Sequence, residues 1–173
     1  MFKFKINNHQ DVARFVLQRE KDLIKLMRGG NVGEPMHEVS NSSCSYISHL
    51  LGHFIKMKSE GVNDLFTLEG IGKGLTETDG HRILGLVTSE GISAIDGTIW
   101  QVSPDEKHMG IYGPFMEESR LLEFLAFRYG GEWRKKAIPE FFLTKEGAKQ
   151  LIRLLALKAE GRNFRRNDVV RRK

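Results

Sequence analysis

The chain has 173 residues, 40% of them apolar and 28% charged, with four prolines and one cysteine. That length fits one domain with a sizeable core. No run approaches the roughly 18 apolar residues of a membrane span, and a single cysteine excludes both an internal disulfide framework and a cysteine-based zinc site. The net charge of +5 comes from the last twelve residues, where Arg162, Arg165, Arg166, Arg171, Arg172 and Lys173 stand against one acid, Asp168.

Phe2, Phe4 and Ile6 alternate with Lys3 and Lys5, which predicts a short strand rather than the apolar core of a signal peptide. Asn8, with Asp11 three residues on, predicts a capped helix start. Val12, Phe15, Val16, Leu23, Leu26 and Met27 give that helix one apolar face, and Gly29-Gly30 ends it. Residues 30–43, with Gly33, Pro35 and a Ser/Asn cluster, read as loop. A second helix opens at Cys44 and buries Tyr46, Ile47, Leu50, Leu51, Phe54 and Ile55 at spacings of three and four. Residues 59–80 read as a polar, glycine-rich loop with Leu65, Phe66 and Leu68 as its apolar knot. Within it Ile71-Gly72-Lys73-Gly74 lacks the spacing of a phosphate-binding loop and reads as a flexible cover over a cleft.

Arg82 to Thr88 predicts a strand, Ser89-Glu90-Gly91 a turn and Ile92 to Ile95 the antiparallel return. Ile99 to Val102 reads as a further strand segment, and Met109 to Tyr112 as another. Glu117 to Tyr129 is an amphipathic helix, carrying Leu121, Leu122 and Leu125, that stops at Gly130-Gly131. Trp133, Phe141 and Phe142 read as core. Thr144 caps a last helix with Ala148, Leu151, Ile152, Leu155 and Ala159 on its inner face, ending at Gly161. Helices, then a small antiparallel sheet, then helices predict an α+β fold. Residues 1–161 form its single domain and 162–173 a basic C-terminal tail.

Three residues carry the chemical expectation. Cys44 sits at a helix start, where the macrodipole and unpaired N–H groups lower a thiol's pKa. The same N–H groups suit a developing oxyanion. His81 precedes one hairpin strand and Asp96 ends the next, and the short turn places His81 opposite residues 96 to 100. A thiol, an imidazole and a carboxylate in that order supply a nucleophile, its base and an orienter. Each also has an ordinary reading. Cys44 is a small core residue, His81 a strand-edge histidine, and Asp96-Gly97 a hairpin turn. His49 and His53, four apart on the Cys44 helix, could share a metal. They lack the intervening glutamate of a zinc-protease helix and read as surface histidines, so no metal and no cofactor are expected.

The run Gly80-His81-Arg82-Ile83-Leu84, then Ala94-Ile95-Asp96-Gly97-Thr98-Ile99-Trp100-Gln101-Val102, then Ile111-Tyr112-Gly113-Pro114, resembles small bacterial papain-like cysteine hydrolases. That group also includes effector deamidases and transglutaminase-like proteins. The resemblance covers roughly residues 40–115. It implies a papain-like arrangement, with the Cys44 helix packed centrally on the sheet, Cys44 as nucleophile, His81 as general base and acid, and Asp96 as orienter. The chain departs from the family in having Ser43 and Ser45 beside the nucleophile and no upstream oxyanion glutamine. Asn41 or His37 would have to replace that glutamine. Asn41, Ser43 and Gln101 are the candidates for oxyanion or substrate contacts.

The expected activity is cysteine-dependent acyl transfer on an amide of a protein or peptide: hydrolysis, glutamine deamidation or transamidation. The alternative is a non-enzymatic bacterial or phage interaction protein whose tail, residues 162–173, contacts nucleic acid, another polyanion or a protein partner. No membrane contact is expected. The lone thiol predicts a cytoplasmic protein, or one delivered into another cell without a cleaved signal peptide.

Overall fold

The computed structural model describes residues 3–29, 33–72 and 80–171, with side chains through residue 161. Phe2, Lys73, Gly74 and the basic side chains of the tail lie outside the described residues. The fold is α+β, with an antiparallel sheet covered by helices on both faces.

The chain begins with β1 (Phe4–Lys5) and α1 (His9–Arg28). The Asn8 side chain accepts from Asp11 N at 2.8 Å, and Gly29 takes the left-handed conformation that closes the helix. Residues 30–43 are not all loop: Pro35 leads into a single turn of helix, α2 (Met36–Ser40), which buries Val39. Next come α3 (Cys44–Lys58) and β2 (Ser59–Glu60), which pairs in parallel with β1.

The predicted loop over 59–80 is in fact where the sheet begins. β3 (Asp64–Ile71) is an eight-residue strand lying between β4 (Gly80–Thr88) and a second unpredicted strand, β7 (Glu132–Ala137). With β5 (Gly91–Asp96) and β6 (Gly110–Phe115) the strand order is β6-β5-β4-β3-β7. Residues 99–101 are a short 3₁₀ turn rather than strand, because Asp96 folds its carboxylate back onto Thr98 N at 3.0 Å and ends β5 there. α4 (Glu118–Tyr129) and α5 (Lys145–Arg171) complete the chain. Thr144 Oγ1 caps α5 by accepting from Gly147 N at 3.1 Å. The helix continues through Gly161 to Arg171, so the predicted stop is corrected.

Alternation along the strands divides the core in two. Leu84, Leu86 and Ile95 face α1, α3 and α5, packing with Phe15, Leu50, Leu51 and Leu155. Ile83, Ala94, Phe66 and Leu68 face the other way, against Leu121 and Leu125 of α4 and against Trp133. Phe141, read as core, is instead 48% exposed. No described helix is long and apolar enough to cross a membrane.

Candidate active site

Two rungs of the sheet build the site. Register places His81, Gly70 and Trp133 side by side across β4, β3 and β7, and Arg82, Glu69 and Arg134 on the adjacent rung. Side chains alternate between faces, so the two sets project to opposite sides. On the first rung Gly70 leaves room for its neighbours. A Cβ there would lie 2.6 Å from the Trp133 ring, and across the gap the indole meets the His81 imidazole edge-on at 6.2 Å between centroids. Trp133 is itself anchored by Nε1–H donating to Gly130 O at 2.9 Å.

The sheet delivers His81 to Asp96. Imidazole Nε2 lies 2.8 Å from Asp96 Oδ2, and both side chains are fully buried. The same oxygen accepts from Tyr129 O–H at 2.9 Å, and Tyr129 in turn meets Tyr112 O–H at 2.7 Å. Asp96 Oδ1 takes Thr98 N and the Thr98 hydroxyl. Asp96 is therefore both the turn residue and the imidazole's partner. Burial works against a charged His81, but the charge and hydrogen bond of Asp96 outweigh it and Cys44 adds to them. The imidazole is thereby held well above its ordinary value. Burial also raises the Tyr129 hydroxyl, as does the Asp96 charge, so Tyr129 stays a protonated donor.

Cys44 comes from the opposite layer. α3 is fixed against β4 through Arg82: Ser48 Oγ donates to Arg82 O at 3.0 Å, and the Arg82 guanidinium donates to Ser45 Oγ. This sets the start of α3 beside the first residues of β4. His81 Nδ1, the nitrogen turned away from Asp96, is buried and makes no hydrogen bond, and Cys44, which lines the same cleft, is the thiol that acts on the imidazole. Burial pushes the Cys44 thiol up. The adjacent His81 imidazole and its positive charge, with the Arg82 backbone N–H, more than reverse that and leave it below its ordinary value. Cys44, His81 and Asp96, distant in sequence, are thus contiguous. The imidazole bridges thiol and carboxylate.

The other predicted contacts serve the loop ahead of the helix. Gln101 Nε2 donates to Ser40 O at 2.6 Å. Ser43 Oγ accepts from Lys158 Nζ at 2.9 Å, and the same ammonium binds Asn41 O. Asn41 Oδ1 accepts from Ser42 Oγ at 3.1 Å. Between them Ser42 takes φ 52°, a strained backbone for a residue with a side chain. Asn41, Ser43 and Gln101 thus hold the approach to Cys44, and the oxyanion donors this geometry offers are the first backbone N–H groups of α3. His37 is an exposed residue of α2 beside Glu38.

His49 and His53 are buried, not on the surface as read. His49 stacks on Phe142 at 4.6 Å, and burial together with the Arg82 charge lowers it to about 4, so it is neutral. His53 Nδ1 lies 3.0 Å from Leu143 O. Among the described residues no group of His, Cys, Asp and Glu could hold a metal ion.

A cleft of about 330 Å³ opens at the site, lined by Cys44, Ser45, Glu69, Gly70, His81, Arg82 and Lys136 among others. A second cavity of about 360 Å³ adjoins it and shares Ser45, Glu69, Arg82 and Lys136. Sequence reasoning missed Tyr129, Tyr112, Trp133, Lys158 and this charged wall. Tyr129 alone left a signal, lying four residues beyond Leu125 on the inner face of its helix. The chain matches no protein-family model, no curated protein and no solved structure.

Proposed function

We propose that the protein is a cysteine-dependent acyl transferase or hydrolase acting on an amide. The observation that supports this most is the bridging imidazole. One of its nitrogens is on a fully buried carboxylate, and the other faces a thiol at a helix start whose pKa is pulled down. In this reading Cys44 is a thiolate beside an imidazolium at neutral pH. Sγ attacks the amide carbonyl carbon, and the oxyanion is met by the N–H groups opening α3. As the tetrahedral intermediate collapses, the C–N bond breaks and His81 gives its proton to the departing amine. Water or a second amine then attacks the thioester, passing a proton to His81 and releasing Cys44 as thiolate. Asp96 holds the imidazole in one tautomer and stabilises its positive charge.

A papain-like arrangement of this fold is part of the same proposal. The α+β architecture and the packing of the Cys44 helix against the sheet support it. The test is the rate of Cys44 alkylation by iodoacetamide against pH, in the wild type and in His81→Ala. The expected wild-type midpoint lies well below the ordinary thiol value of about 8.5. In His81→Ala it should rise above that value, since burial and the Asp96 charge then act unopposed by the imidazole. A midpoint at or above the ordinary value in the wild type would overturn the proposal.

A further inference from the structure

The wall shared by the two cavities carries Glu69, Arg82 and Lys136, and Arg134 joins this charged cluster just outside it. Glu69 sits centrally on β3, with Arg82 opposite on β4, Arg134 opposite on β7, and Lys136 two residues along β7 on the same face. All three cations pair with this one carboxylate: Arg82 with Oε1, Lys136 with Oε2 and Arg134 with Oε2 at 3.7 Å. Within this ion-paired cluster one negative charge among three positive ones leaves a surplus of two, which Glu132, two residues before Arg134 on the same face of β7, offsets by one at its far end. Arg82 is 27% exposed, Lys136 45% and Arg134 57%, so the cations reach solvent, Arg82 and Lys136 at the cleft and Arg134 beside it on β7. It does not reflect a basic protein, because the net charge of the whole chain equals that of its last twelve residues. The thiolate–imidazolium pair adds no net charge of its own, and the Asp96 carboxylate buried behind it adds one negative charge that is the same in every variant below.

Resting on the cysteine reading, we propose that this cluster selects an acidic substrate: a peptide amide with a carboxylate side chain next to the reacting bond, steered onto Lys136 and Arg134. Glu69 sets how strong the selection is by neutralising part of the field. Arg82, tied to both Ser45 and Glu69, fixes the cluster in register with Cys44.

Two reagents of nearly equal size read the field directly at the thiol: iodoacetate carries a carboxylate and iodoacetamide does not. In Lys136→Met and Arg134→Met, both at exposed positions, the ratio of iodoacetate to iodoacetamide rates should fall by about threefold each, as expected for one charge acting over several ångströms near a surface. The wild-type ratio should fall likewise with added salt, and Glu69→Gln should raise it. The contribution of His81 and of the basic tail is the same in every variant, so a preference carried by either would survive them. Ratios unchanged in both β7 variants would overturn the inference while leaving an activated thiol intact. If Cys44 reacts with neither reagent faster than a free thiol, the cysteine reading fails and binding decides the inference alone. Cys44→Ala protein, titrated with rhodamine-labelled Gly-Gln-Glu-Glu or Gly-Gln-Gln-Gln, should prefer the acidic peptide and lose that preference when Lys136→Met is added. Equal binding of the two peptides would overturn it.

Discussion

Replacing Asp96 by Asn is the sharpest test of the buried network, because Asn keeps the shape and changes only charge and donors. Asp96 Oδ2 accepts from His81 at 2.8 Å and from Tyr129 at 2.9 Å, and Oδ1 accepts from Thr98 N at 3.0 Å. An Asn has one acceptor oxygen and one NH₂. If the oxygen faces His81, the NH₂ meets the Thr98 N–H and a buried donor is left unpaired, at a cost of about 1–3 kcal/mol. If the NH₂ faces His81, Nε2 must become an acceptor, the remaining proton moves to Nδ1 and the imidazole can no longer take one from Cys44. Losing the charge-assisted bond removes about 1.5–3 kcal/mol more.

Urea unfolding at neutral pH should therefore show Asp96→Asn destabilised by about 2.5–6 kcal/mol. The effect has a pH signature. In the wild type the folded imidazole is raised to about 10, so its contribution is fully present below the unfolded value of about 6.5 and is lost as pH rises through about 10. In Asp96→Asn that dependence should flatten, and the gap between the two proteins should narrow at the alkaline end by the part the charged imidazole contributes. A loss under about 0.5 kcal/mol, or one independent of pH, would refute the reasoning, since a buried acceptor of four donors cannot be replaced so cheaply.

Three further outcomes follow from the same contacts. Tyr129→Phe deletes a donor to Asp96 and a partner of Tyr112, and should cost about 1–3 kcal/mol in urea unfolding while Cys44 stays reactive. Gly70→Ala forces a methyl against the Trp133 ring and should cost about 1–3 kcal/mol, with a shift in tryptophan fluorescence as the indole leaves the His81 edge. Lys158→Met releases Asn41 O and Ser43 Oγ ahead of the helix. It should speed hydrogen exchange at the start of α3 more than in β4 or β5.

Much of this was legible because it is local. The hairpin turn at 88–91 fixed the register, and the register fixed the meeting of His81 and Asp96. Asn8 and Thr144 announced their helices by capping chemistry. β3 was hidden because its polar residues are satisfied by neighbours far along the chain: Thr67 donates to Lys136 O and Glu69 holds three cations. Without those partners the segment reads as loop. β7 was masked by the same exchange, its basic residues suggesting surface rather than sheet. Gly161 ended the predicted helix because glycine favours helix ends, yet it is not among the residues of positive φ and α5 passes through it. At Ile99 the apolar pattern suggested strand, but the Asp96–Thr98 turn had already broken the ladder. The Lys158 contact, from the last helix to the loop before Cys44, leaves no trace in local pattern.

The central claim is that Cys44 attacks a carbonyl with the help of His81. Mixing the protein with p-nitrophenyl acetate and digesting it for mass spectrometry tests this most directly. The account predicts a burst of nitrophenolate stoichiometric with protein, one acetyl group on Cys44, and loss of both in His81→Ala at neutral pH. An acetyl group found only on lysines, or Cys44 acetylated equally fast without His81, would contradict it.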